Sequence, residues 1–131
     1  VATDVQGEQT VGVALEAGGE TALYIPGCAR VTPALKERIA RAQILLFDGT
    51  VYHDDEMIRE GVGVKTGARM GHIAMAGPEG SLAAFEDVAG PRKIFVHINN
   101  TNPVLRPGSP ERERVLDAGW EIAEDGMEIG L

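Results

Sequence analysis

The sequence predicts a layered α/β fold on three observations. A glycine-linked pair of alternating segments lies near the start, almost wholly apolar runs occupy 44–47 and 94–96, and hydroxyl-then-proline helix starts stand at 32–33 and 109–110. Thr10 to Ala17 alternates with Val11, Val13 and Leu15 on one face. Gly18 and Gly19 make the turn, and Thr21 to Ile25 returns as the second strand of a hairpin. Thr32 then caps a helix in which Pro33 takes the first position and Leu35, Ile39 and Ala42 line one face. Gln43 to Phe47 forms a short strand that ends at Asp48. The region 49–80 is irregular and glycine-rich, and a connection of that length is usually functional or mobile. Ser81 caps and opens a second helix with Leu82, Phe85 and Val88 or Ala89 inward. Ile94 to Val96 is the next strand, and Ser109, Pro110 and Glu111 open a third helix that runs to Asp117 and stops at Gly119. Trp120 to Ala123 with Met127 to Ile129 forms a final strand pair or extended tail. Strand-like sequence also follows Val1 directly. Strands this apolar need cover on both faces, which three helices cannot supply, so a further layer comes from elsewhere.

With 131 residues and 44% hydrophobic content, the chain has room for one domain and one core. A net charge of −8 argues against a nucleic-acid or anionic-membrane partner, because phosphate binding needs clustered Lys and Arg. Cys28 stands alone, which rules out an internal disulfide and a zinc finger and suggests no oxidising compartment. No apolar stretch approaches a membrane span and no signal peptide is visible. The expectation is a cytoplasmic protein.

Three residues stand where chemistry is expected. His97 ends a buried apolar strand, the position at which open α/β sheets present reactive groups, and Asn99, Asn100, Thr101 and Asn102 follow it with side chains suited to local hydrogen bonds. Pro103 holds Asn102 extended. Asp48 ends the other buried strand, where a carboxylate either reaches a site or caps the next turn. His72, after Met70 and Gly71, is a ligand, a proton carrier or a hydrogen-bonded surface residue. His53 reads as solvated beside Asp54 and Asp55, and the acidic run through Glu56 lacks the spacing of a calcium loop. Arg30 could lower the pKa of Cys28, although a lone cysteine at a strand end is more often structural. The glycines at 61, 63 and 67 lack the context of a phosphate-binding loop. These residues alone do not complete a metal site.

Several segments carry a family resemblance: Phe47-Asp48-Gly49-Thr50, Asp54-Asp55-Glu56-Met57, Thr66-Gly67-Ala68-Arg69-Met70-Gly71-His72, His97-Ile98-Asn99-Asn100-Thr101-Asn102-Pro103, Ser109-Pro110-Glu111-Arg112 and Asp125-Gly126-Met127. In this order they resemble the C-terminal half of the pyrroloquinoline quinone biosynthesis B family, within the metallo-β-lactamase superfamily. The resemblance implies that residues 1–131 are one half of an αββα sandwich, with the main His-x-His-x-Asp-His metal motif in the other half. It implies His97 as a metal ligand, and Asp48 and His72 as catalytic groups near the metal. Where superfamily members with two metals carry a bridging aspartate, this chain has Pro26-Gly27-Cys28-Ala29, so a single divalent metal, Fe(II) or Zn(II), is expected.

The activity implied is metal-dependent hydroxylation of a tyrosine-derived intermediate by the full-length protein, with the loop Val51 to Ala76 walling the pocket and this chain inactive alone. The alternative is a carrier for pyrroloquinoline quinone or its precursor, with Arg30, Lys65 and Arg69 pairing with ligand carboxylates. In either case the expected partners are a small-molecule quinone precursor or product, and the chain pairs with its missing half or self-associates.

Overall fold

In the computed structural model, which describes residues 10–131, Gly18 and Gly19 both take positive φ, 59° and 83°. That is the backbone a tight hairpin requires. It folds β1 (Val13–Ala17) antiparallel onto β2 (Glu20–Ile25). The remaining strands, β3 (Ile44–Asp48), β4 (Arg92–Val96) and β5 (Trp120–Ile122), join in parallel to give a five-stranded sheet in sequence order. Strand-like sequence after Val1 lies outside the described residues.

Each parallel step is bridged by a helix. Thr32 Oγ1 accepts from Leu35 N at 3.2 Å and Pro33 opens α1 (Pro33–Ala40), while Ser109 Oγ accepts from Arg112 N at 3.1 Å at the start of α4 (Pro110–Asp117). Between them lie two single-turn helices, α2 (Glu56–Arg59) and α3 (Ser81–Ala84). Gly119, at φ 83°, stops the chain after α4 and turns it into β5.

The core lies on one face of the sheet. Leu23 and Ile25 of β2, Leu45 and Phe47 of β3, Phe95 of β4, and Trp120 and Ile122 of β5 meet Ile39, Phe85 and Val115 from the helix side. Phe95 and Trp120 stack at 3.9 Å between centroids, and Phe47 meets Phe85 edge-on at 5.0 Å. The alternate residues, Val13, Leu15, Tyr24, Ile44, Leu46 and Ile94, share the opposite face by strand register. Of these, Val13, Leu15 and Tyr24 are 46%, 56% and 39% exposed, whereas Ile44 and Ile94 are buried. Among the described residues the shortage of cover therefore falls on the hairpin strands β1 and β2, not on the apolar strands β3 and β4 for which it was expected.

The structure departs from expectation at three elements. The second helix is one turn long, because Glu86 N and Val88 N donate to residues three positions back, tightening the chain, and Lys93 Nζ takes Val88 O at 2.6 Å. Gly80 occupies the cap position of that helix, not Ser81, whose buried Oγ has no hydrogen-bond partner among the described residues. The tail beyond Ile122 forms no strand at Met127 to Ile129. No helix among the described residues is long and apolar enough to cross a membrane.

Candidate metal centre

The carboxyl ends of β3 and β4 lie side by side, and the site is built where they stop. Gly49 N donates to Val96 O at 2.7 Å, and a Cβ on Gly49 would sit 2.8 Å from that same oxygen. Only glycine lets the chain leave β3 so close to β4. The turn that follows brings Thr50 back over Asp48.

Asp48 is fully buried, and its two oxygens collect four contacts. Oδ1 accepts from Thr50 N at 3.1 Å and from Thr50 Oγ1 at 2.7 Å; Oδ2 accepts from Cys28 N at 2.9 Å and meets His72 Nδ1 at 2.9 Å. His72 is carried in by the long loop. Gly71, at φ 80°, reverses the chain just before it, His72 N donates to Gly67 O, and Ile73 N donates to Cys28 O at 2.7 Å. His97 stands in the left-handed region at φ 53°, uncommon for a residue with a side chain, and its Nδ1 lies 2.9 Å from Thr50 Oγ1. The two imidazoles stack with centroids 5.4 Å apart and planes 22° from parallel.

The three residues singled out in the sequence therefore converge. Asp48, His72 and His97 each offer a ligand atom within 4.8 Å of the others, a grouping that can hold a metal ion. They are buried, half-buried and exposed in that order. The lone pairs of Asp48 are already engaged, whereas each histidine keeps Nε2 free of the contacts that hold Nδ1. Imidazoles held through one nitrogen by a hydrogen-bond partner suit metal binding through the other. The described residues thus fit a share of a metal centre, with imidazole donors, and Asp48 serves as the group that holds His72.

Asp48 also sets the local electrostatics. Its hydrogen bond to His72 raises that imidazole above its ordinary value against the opposing effect of burial. Burial, assisted by the Asp48 charge, pushes the Cys28 thiol up to about 11. The lowering expected from Arg30 is the smaller influence. Cys28 is a buried, inert thiol whose Sγ donates to Arg30 O.

The asparagine run works at one remove from His97. Asn99 N donates to Thr50 O, Asn99 Nδ2 donates to Thr101 Oγ1, and Thr101 Oγ1 donates to Glu56 Oε2 at 2.7 Å. Asn102, buried and extended as expected before Pro103, donates through Nδ2 to Gly49 O and accepts at Oδ1 from Val104 N. Its side chain ties the segment after β4 to the turn that leaves β3. Two functional residues were missed. Thr50 touches every member of the cluster, and its signals were its place two residues after a strand-ending aspartate and within the family-like segment Phe47-Asp48-Gly49-Thr50. Glu56, noted only as part of an acidic run without calcium-loop spacing, is 3% exposed and accepts Tyr52 N and His53 N on Oε1. His53, expected in solvent, is half-buried with its ring edge-on to Tyr52 at 4.8 Å. Arg30, Lys65 and Arg69 are exposed.

A model of the "Beta-lactamase superfamily domain" matches residues 2–98. The chain is homologous to proteins named "Coenzyme PQQ synthesis protein B": it is 60% identical to that of Methylobacterium radiotolerans over 124 residues, 95% of this chain and 42% of that protein. It is 56% identical to that of Ruegeria pomeroyi over 131 residues, all of this chain and 44% of that protein. Among solved structures it matches the Zn(2+)-bound PqqB of Methylobacterium extorquens with a TM-score of 0.90 and 59% identity, covering 93% of this chain and 44% of that one. The chain thus spans less than half the length of these relatives, and its fold is one half of a metallo-β-lactamase-like sandwich.

Proposed function

Because the chain belongs to the β-lactamase superfamily, we propose that it supplies part of a metal centre to a protein of pyrroloquinoline quinone biosynthesis, the role its relatives are named for. The observation that carries this reading is the convergence of Asp48, His72 and His97 at the ends of β3 and β4. In it, His97 binds the metal through Nε2, and the remaining ligands and the cover for the open sheet face come from the rest of the full-length protein. Asp48 holds the His72 ring by Nδ1, which leaves His72 Nε2 to give or take a proton at the substrate. A cavity of about 430 Å³ beside His72, lined also by Asp54, Ala68 and Ile73, supports a pocket walled by the 51–76 loop.

The activity we infer is hydroxylation of a tyrosine-derived intermediate. With O₂ as the oxidant and an added reductant carrying its second oxygen atom to water, a single Fe(II) ion would supply the redox chemistry, which Zn(II) cannot. The test is turnover of the intermediate by the full-length protein with Fe(II), with Zn(II) and after chelation. Expected is turnover with Fe(II) only, falling about 100-fold in His97→Ala, in line with the loss of a metal-binding group. Unchanged activity in His97→Ala overturns the ligand assignment. Tight product binding without oxidation under any metal overturns the enzyme reading in favour of a carrier.

A further inference from the structure

The Thr50 hydroxyl has three partners in the site: Asp48 Oδ1 at 2.7 Å, His97 Nδ1 at 2.9 Å and His72 Nδ1 at 3.1 Å. A hydroxyl has one proton to give and two lone pairs to receive. A carboxylate can only accept, so the shortest of the three contacts takes the hydroxyl proton to Asp48. Both remaining contacts are then satisfied only if the histidines donate. His97 must carry its proton on Nδ1, because Thr50 is the partner that Nδ1 has. His72 Nδ1–H is shared between Thr50 Oγ1 and Asp48 Oδ2, which lies 2.9 Å away. If Thr50 instead donated to either ring, two oxygen lone pairs would face each other at 2.7 Å.

We propose that Thr50 is a positioning residue that fixes the tautomer of His97, and with Asp48 that of His72, so that both imidazoles present a bare Nε2. One hydroxyl thereby orients both imidazoles, the metal-binding one and the proton-carrying one. The inference rests on the reading above for what those nitrogens then do, but not for the tautomers themselves. It also separates the two rings: without the hydroxyl, His72 keeps its Asp48 acceptor, whereas His97 is left with none among the contacts described here.

The experiment uses the full-length protein labelled with ¹⁵N-histidine. Long-range ¹H–¹⁵N spectra are recorded on the metal-free protein at alkaline pH, and Zn²⁺ affinity is measured by competition with a chelator. Expected are Nδ1–H on both rings of the unmodified protein, a shift of His97 toward Nε2–H in Thr50→Val with His72 unmoved, and recovery of the unmodified pattern in Thr50→Ser. Zn²⁺ affinity should fall about 10–100-fold in Thr50→Val, the usual effect of removing a partner that orients a ligand. An Nε2–H proton on either ring of the unmodified protein overturns the inference even if the valine variant fails to fold. So does an unmoved His97 in Thr50→Val, or a serine variant no better than valine. Nδ1–H on both rings with no Zn²⁺ uptake would uphold the tautomers and refute the metal reading instead.

Discussion

His72 owes its raised proton affinity to one contact, Nδ1 at 2.9 Å from Asp48 Oδ2, which outweighs the burial that opposes it. A folded-state pKa above the ordinary 6.5 means the native protein binds this proton more tightly than the unfolded chain does. The stability gained is complete below 6.5 and is lost as pH rises through the raised value. Thermal melts of the chelator-treated protein and of His72→Gln, compared across that range, should therefore show the native advantage at acidic pH shrinking as the solution becomes alkaline. A constant difference would mean that the pair is not charged in the fold. At His97 the backbone carries a cost instead, about 1–3 kcal/mol for a side chain held in the left-handed region. The return is orientation, since this conformation turns the chain out of β4 with the imidazole against Thr50.

Glu56 ties two elements together: it collects Tyr52 N and His53 N ahead of α2 and Thr101 Oγ1 from the segment after β4. Glu56→Ala strands two backbone donors and a hydroxyl, and should cost about 2–3 kcal/mol, read as a shift in the denaturant midpoint with faster amide exchange at Tyr52 and His53. Glu56→Gln keeps one acceptor oxygen and should lose less. Equal losses would assign the effect to packing. Elements of this kind mark the limit of what the sequence displays. The starts of α1 and α4 were legible at Thr32-Pro33 and Ser109-Pro110, because a cap is made by residues three apart. The shortening of α3 was not, since it is set partly by Lys93 reaching back to Val88 O from β4. The site divides in the same way. Asp48 and His97 were visible as polar ends of apolar strands, whereas the partnership of Asp48 with His72 spans 24 positions of chain without a local pattern. Glu56 stood in an acidic run with no motif of its own, and only the fold shows what it accepts.

On the scale of the whole molecule, the described residues leave one face of the sheet open at its hairpin edge. Val13, Leu15 and Tyr24 form an exposed apolar patch beside the partly buried Leu46 and the buried Ile94 of the same face. Faces of this kind mark an interaction surface. Residues 1–131 alone should self-associate through it, and Leu15→Lys with Tyr24→Lys should shift sedimentation toward monomer at little cost to folding, because both side chains are already exposed. A monodisperse monomer from the unmodified chain would sink this expectation. Asp48 belongs to the same alternation, two residues beyond Leu46, on the side away from the aromatic core. A strand that slipped by one position would carry its carboxylate into the layer of Phe85 and Trp120 and turn Phe47 out to water. In the native register the carboxylate instead meets Cys28 N and the amide and hydroxyl of Thr50, so the misaligned sheet would give up those hydrogen bonds on burying the charge. The aspartate thereby favours the native pairing of β3 over a one-residue slip, apart from any part it has in the site.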